Sequence, residues 1–274
     1  MKEGVDFYFG RNQGADNGFR SVDYGIINCT IGGGMLEEGY IPTREIRETT
    51  IRGNPKPYFH GVDFKPMELN LTFGFESFHT GVTANDKDRA LRELSYWLTK
   101  DYYVPFGIVG EDYMFYVMCV DDSRLVHNAL SQGYVDLTFR TDAPWAYSEI
   151  KTINLSGFNP DVETLIEFEN NGDLDILPEI WIDIPFKTGG TNLECSIAKV
   201  TGNFEEFKFT GLLSQEKLYV HNEKKYIESL NTTHYRYDNF NDKYLSLPRG
   251  LTQLSIKGIE NLIFKYQERK YIAY

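Results

Sequence analysis

The residues of this chain that could carry out chemistry are scattered rather than grouped. Its histidines, His60, His79, His127, His221 and His234, contain no pair spaced for a metal, and none stands beside a cysteine in a ligand pattern. A catalytic zinc centre needs such a pattern, because several lone pairs must converge on one ion. Cys29, Cys119 and Cys195 are odd in number and far apart, so they indicate neither a disulfide framework nor a zinc knuckle and read as small core residues. A Gly-x-Ser-x-Gly elbow for a serine nucleophile is absent, and the run Gly32-Gly33-Gly34 lacks the Lys-Ser/Thr pair of a phosphate loop. Asp121-Asp122 reads as the polar start of a turn, and Asp173 and Asp175 follow Asn170-Asn171-Gly172, a turn by composition. An acidic β protein always offers acid pairs for glycoside hydrolysis, and sequence selects none of them. The 170–175 stretch has oxygen ligands suited to calcium but lacks the ordered spacing and terminal Glu of a calcium loop, so a turn is its first reading. The chain is therefore expected not to be an enzyme and to need no metal and no cofactor.

One aromatic residue stands out. In Glu179-Ile180-Trp181-Ile182-Asp183-Ile184 the isoleucines fall on one phase of a strand, and Trp181 falls on the other with Asp183. Trp181 is thus a candidate either for stacking on a sugar or for docking against a neighbouring subunit.

The elements that would position these residues are strands. Val135, Leu137 and Phe139 alternate with Tyr134, Asp136, Thr138 and Arg140, and Met67, Leu69, Leu71, Phe73 and Phe75 alternate with polar residues or glycine. A period of two is that of a strand with one buried face. Further strands are expected near Phe7-Tyr8-Phe9 and over 113–120. Leu91, Leu94, Trp97 and Leu98 are spaced for one face of a helix, with Asn85 as N-cap, and this is the single helix expected. Thr141-Asp142-Ala143-Pro144-Trp145-Ala146-Tyr147-Ser148 then marks a seam. Beyond it, eight short strands are expected over 164–169, 179–186, 193–200, 204–210, 218–221, 225–229, 252–257 and 261–266, the spacing of a β-sandwich. The expected domains are 1–148 and 149–274. Between the early strands, residues 42–57 are polar, with Arg44, Arg47, Arg52 and a Gly53-Asn54-Pro55 turn, and read as a long exposed arm or loop. Such a segment is usually functional, which makes Arg44, Arg47, Arg52 and Asn54 candidates for an inter-subunit or partner interface.

Composition narrows the function classes. The chain has 274 residues, 41% of them hydrophobic, with 19 Tyr and 19 Phe, a balance that suits a folded, strand-rich protein. Its formal net charge is −12, spread over both halves. A nucleic-acid reader needs clustered cations to displace counterions from phosphates, and no such cluster exists. The longest apolar stretch, 113–120, is far too short to span a bilayer, and no leader is apparent at the N-terminus, so folding in a cytoplasm is expected, without membrane insertion.

Several segments, in order, resemble the distal tail protein of long-tailed, non-contractile bacteriophages. Phe7-Tyr8-Phe9-Gly10 followed by Ser21-Val22-Asp23-Tyr24-Gly25 is similar to that family's first strand and its S-x-D-[YF]-G segment. Tyr96-Trp97-Leu98 resembles its WL helix, and Pro144-Trp145-Ala146-Tyr147-Ser148 its P-[YWF]-A-Y-S junction. Asn170-Asn171-Gly172 with Pro178-Glu179-Ile180 resembles its N-x-G…P-x-I entry to the C-terminal sandwich. Leu247-Pro248-Arg249-Gly250-Leu251-Thr252-Gln253-Leu254 resembles its L-x-P-G-x-N-x-[IL] turn, with Arg249 inserted and Thr252-Gln253 where Asn is usual. The family's I-P-G-R loop stands here as Ile41-Pro42-Thr43-Arg44, with Gly53 separate.

The resemblance implies a mainly β fold: an N-terminal β-sandwich or barrel-like domain with one packed helix, related to tail-tube subunits, and a C-terminal galectin-like β-sandwich. It also implies a virion protein of the tail tip, assembled in the host cytoplasm. There it would form a homo-hexameric ring that joins the tail tube protein to the tail-associated hub protein and carries receptor-binding or fibre proteins, with the tape measure protein as a further neighbour. A ring of acidic subunits suits a lumen that passes DNA without binding it. The alternative reading is a carbohydrate-binding module that recognises the host cell wall.

Overall fold

The computed structural model describes residues 6–10, 20–24, 26–28, 43–75, 92–120, 124–127, 133–202 and 204–271. Cys29, the triple glycine, His79, the Asn85 cap and Asp121-Asp122 lie outside them. The chain divides into two compact units, Met1–Tyr147 with Tyr271–Tyr274, and Ser148–Lys270.

The first unit contains β1 (Phe7–Phe9), β2 (Ile26–Asn28), β3 (Arg44–Thr49), β4 (Tyr58–Phe64), β5 (Glu68–Phe75), helix α1 (residues 92–98 of it described), β6 (Val104–Ile108), β7 (Tyr113–Cys119), β8 (Arg124–His127), β9 (Gly133–Thr141) and the start of β10 (Ala146–Ser148). Strands β1, β6, β7, β9, β5 and β2 are neighbours in that order, with β8 also on β9 and β10 also on β7. The alternation that predicts β9 is realised: Val135, Leu137 and Phe139 are buried, and Leu71 and Phe73 of β5 lie opposite Leu137 and Val135 in the ladder. This sheet needs a cover, and α1 supplies it. Leu94, Trp97 and Leu98 turn inward, Trp97 stacks on Phe7 at 6.0 Å, and its indole N–H donates to the Phe9 carbonyl at 3.0 Å. A buried indole needs such a partner. Gly107 stands opposite Tyr8, whose ring occupies the place of a Cβ, so only glycine fits at that point of β6.

Strands β3 and β4 stand apart from this sheet as a two-stranded hairpin. The expectation of a long loop at 42–57 is corrected here: the exposed arm is a hairpin, with residues 44–49 as its first strand and 50–57 as its tip. Both strands are exposed to solvent, so no buried face imposed an alternation that the sequence could display.

The second unit contains β11 (Lys151–Ser156), β12 (Thr164–Asn170), β13 (Glu179–Asp183), β14 (Leu193–Lys199), β15 (Glu205–Leu212), β16 (Lys217–His221), β17 (Tyr226–Ser229), β18 (Gly250–Lys257), β19 (Asn261–Tyr266) and β20 (Arg269–Lys270). Two sheets, ordered β11-β19-β13-β16-β17 and β12-β18-β14-β15, enclose one core. Ile180 and Ile182 of β13, Leu218 and Val220 of β16, and Leu262 and Phe264 of β19 point into it from the first sheet; Phe207, Phe209, Leu254 and Ile256 meet them from the second. The protein is thus mainly β, as the sequence pattern predicts, and α1 is the one α-helix among the described residues.

Two devices tie the sandwich. Asn170, buried at the end of β12, accepts from the Gly172 N–H at 2.8 Å and donates to the Leu174 and Leu247 carbonyls at 2.9 and 3.0 Å. It holds both its own turn and the returning chain, so 170–175 is an asparagine-pinned turn. The second device is an ion pair that is wholly inside. Glu216 accepts from Arg236 Nε at 2.7 Å and Nη2 at 2.6 Å, from the Leu213 N–H at 2.9 Å and from the Ser229 hydroxyl at 2.8 Å. Arg236 also donates to the Gly211 carbonyl and to Asn239 Oδ1, which anchors the long connection between β17 and β18.

Candidate functional site

Among the described residues, those with metal-binding potential do not converge. Among the described residues no group of three or more His, Cys, Asp or Glu side chains could hold a metal ion. Burial pushes the Cys195 thiol up to about 12, far from the thiolate that a nucleophile requires. Asp173 pairs with Arg249 at 3.1 Å, and Asp175 accepts from the Ser246 hydroxyl at 2.7 Å, so both carboxylates are engaged in holding the turn. No helix among the described residues is long and apolar enough to cross a membrane.

Surfaces remain, and the hairpin is the first. Its register pairs Arg44 with Phe64, Ile46 with Val62, Glu45 with Asp63 and Arg47 with Gly61 before shifting by one residue at Arg47/Glu48. Because directly opposed residues share a face, Arg44, Ile46, Val62 and Phe64 line one side and Glu45, Arg47 and Asp63 the other. The polar side is self-contained: Arg47 Nε meets Asp63 at 3.0 Å, and Lys65 meets Glu45 at 2.7 Å, holding the Glu45 carboxyl below its ordinary value. The apolar side is open. Ile46 is 60% exposed and Phe59, beyond the register shift, 67%; the Arg44 guanidinium lies over the Phe64 ring at 5.3 Å, and Tyr271 is beside that ring at 6.5 Å. At the tip, the Asn54 N–H donates to the Ile51 carbonyl at 3.0 Å, and the Asn54 side chain accepts from the Lys56 N–H at 3.1 Å; Arg52 projects from this turn into solvent.

The sequence-predicted interface residues therefore sit on one element but do different things. Arg44 borders the apolar face, Arg47 is engaged across the polar face, Asn54 shapes the tip, and Arg52 is exposed. Sequence reasoning missed Ile46, Phe59, Val62 and Phe64. Their signal was available only as apolar residues inside a polar stretch, without the period that would assign them to a face.

The second surface is the outer face of the β11-β19-β13-β16-β17 sheet. Trp181 is half-buried there, 4.9 Å from the Tyr219 ring across the β13–β16 ladder, with Tyr226 a further 6.3 Å beyond Tyr219. The Tyr219 hydroxyl donates to Glu179 at 2.8 Å; burial and that carboxylate push its pKa up to about 12, so it stays a neutral donor.

Residues 12–143 match the phage tail protein N-terminal domain family. Across 252 residues, 92% of this chain and 94% of the other, the chain is 30% identical to an SPbeta prophage-derived uncharacterized protein, YomH, of Bacillus subtilis strain 168. The chain belongs to the phage tail protein family. Its fold is that of a distal tail protein: the crystal structure of SPP1 Dit, described as a paradigm of hub adsorption apparatus in phages that infect Gram-positive bacteria, matches with a TM-score of 0.66 at 17% identity, over 95% of this chain and 98% of that one. A chain of the phage P2 baseplate, in its activated conformation with Ca, matches at a TM-score of 0.50 and 9% identity over 98% of both. On the hairpin itself, Ile46 and Phe59 stay largely exposed, so its apolar face is a candidate contact surface.

Proposed function

We propose that this tail protein is a distal tail protein that forms a hexameric ring at the tail tip. The ring joins the tail tube protein to the tail-associated hub protein and anchors receptor-binding or fibre proteins outside. In this reading 1–148 is a ring-forming, tail-tube-like domain and 149–274 is a galectin-like sandwich; the role is structural, and assembly takes place in the host cytoplasm. The observation that carries the reading is the β3–β4 hairpin. A two-stranded sheet in water is marginal by itself, and an exposed apolar face asks for a covering surface. In a cyclic ring each subunit offers one surface to its neighbour and receives another, so an arm is suited to closing the contact. Arg44, Arg52 and Asn54 would border the covered patch, and Arg47 would keep the polar side in shape. Six subunits at −12 each carry −72 in all, which suits a lumen that lets DNA pass without adhesion.

Native mass spectrometry with negative-stain imaging tests this. The wild-type chain should give hexameric rings, or double rings, alone or when mixed with its tail tube protein. Ile46→Asp with Phe59→Asp should leave a folded monomer whose circular dichroism matches the wild type, because both side chains are exposed in the free subunit. A chain that stays monomeric even with its tube protein present refutes the ring.

A further inference from the structure

We infer that the outer face of the β11-β19-β13-β16-β17 sheet is a binding site for a neutral, hydroxyl-rich polysaccharide, with Trp181, Tyr219 and Tyr226 as its stacking platform. The inference goes beyond the ring and does not rest on it, since the site lies within one sandwich.

The register assembles the site from strands distant in sequence. Trp181 lies opposite Ile263 of β19 on one side and Tyr219 of β16 on the other, and Tyr219 lies opposite Glu228 of β17. With Asn154 of β11 opposite Ile263, one continuous row crosses the sheet. Its four intervals, at about 4.8 Å each, give roughly 19 Å, long enough for several sugar rings end to end. Trp181 and Tyr219, with ring centroids 4.9 Å apart, make the middle of that row aromatic, and Tyr226 of the adjacent row lies 6.3 Å from Tyr219 on the same face. The negative face of an aromatic ring attracts positively polarised C–H groups, which is what the flat side of a sugar ring presents.

The flanks supply hydrogen bonds. A second row holds Glu179, His221 and Tyr226, and a third holds Asp183, Lys217 and Asn261. Glu179 and Glu228 already accept from the tyrosine hydroxyls at 2.8 and 3.2 Å, and each oxygen retains capacity for a further hydroxyl donor. Asp183 is satisfied by Asn261 at 3.2 Å and faces Lys217 at 3.5 Å. The face thus offers acceptors and two lysines, Lys217 and Lys265, against three carboxylates. A polyanion gains little there, whereas a neutral polyol finds both stacking and acceptors. A protein partner would be better served by a continuous apolar patch than by aromatics interrupted by charges.

The test uses the full chain and a panel of neutral probes: oligomers of glucose, galactose, rhamnose and N-acetylglucosamine, with a purified neutral wall polysaccharide of a Gram-positive bacterium. Titration is read by calorimetry and by tryptophan emission, the Trp181 share of which is the part lost in Trp181→Ala, since Trp145 is half-buried as well and Trp97 is buried. Saturable binding to at least one probe is expected, with Trp181→Ala weakening it by about tenfold or more. Tyr226→Ala, on an edge strand and 45% exposed, should weaken it severalfold without touching the core, which keeps the test valid if Trp181→Ala misfolds. Leu165→Ala, on the other sheet and 60% exposed, should leave it unchanged. The proposal is overturned if no probe binds, or if Trp181→Ala and Tyr226→Ala both bind like wild type.

Discussion

Replacing Arg236 by Ala removes the cation from a site where Glu216 is 0% and Arg236 5% exposed. Wild-type Glu216 is pushed up by burial, but Arg236, the Leu213 N–H and the Ser229 hydroxyl outweigh that and hold its carboxyl below the usual value of 4.5. Without Arg236 a charge is left buried with neutral donors alone, the Leu213 N–H and the Ser229 and Thr232 hydroxyls, and the Gly211 carbonyl and Asn239 lose a partner as well. Breaking such a pair from one side costs about 3–5 kcal/mol. For the 123-residue unit from 148 to 270, about 3–5 °C per kcal/mol places the loss in Tm at roughly 10–25 °C. Scanning calorimetry and urea denaturation, following the transition of the second unit, read it directly. The pH dependence sharpens the test. A carboxyl whose folded pKa lies below its unfolded value stabilises at neutral pH, and that contribution disappears as pH falls from about 4.5 through the folded value. In Arg236→Ala the unpaired carboxyl is raised instead, so protonation relieves it and the gap between variant and wild type narrows toward acid. Glu216→Gln combined with Arg236→Met, which removes both charges, should recover much of the loss. A deficit under about 1 kcal/mol at pH 7, or one that does not change with pH, would refute this account of the pin.

Three further outcomes are expected. Asn170→Ala should cost about 2–4 kcal/mol, because it strips three hydrogen bonds from buried backbone groups, and urea unfolding measures it. Gly258→Ala should be worse than an ordinary glycine substitution: φ is +72° and a Cβ would lie 2.0 Å from the Glu194 carbonyl oxygen, so a loss above about 3 kcal/mol or failure to fold is expected on expression and melting. Cys195, buried and with its thiol near 12, should resist iodoacetamide at pH 8 in the native protein and react once unfolded, as mapped by mass spectrometry.

The sequence displayed whatever was local and half-buried. Strands β5, β9, β13 and β19 each put alternate side chains into a core, so their period of two was legible, as was the apolar face of α1. Where one of those conditions failed, the pattern was silent. Strands β3 and β4 bury neither face; β6 carries Pro105 and Gly107, which read as breakers although Gly107 is there to admit Tyr8; β11 is an edge strand with only Ile153 and Leu155 turned to the core. Charge and composition could likewise exclude nucleic-acid reading but could not say which acids pair.

What only the tertiary structure decided is adjacency. Glu216 meets Arg236, Asn170 meets Leu247, and Trp181 gains Tyr219 and Tyr226 through strand register, not through spacing along the chain. Periodicity records whether a residue faces a core, because that is set by its own strand. Which strand lies beside it is set by the packing of the whole unit, and the apolar face of the β3–β4 arm, the row of rings on the sandwich and the buried ion pair all depend on that second kind of information.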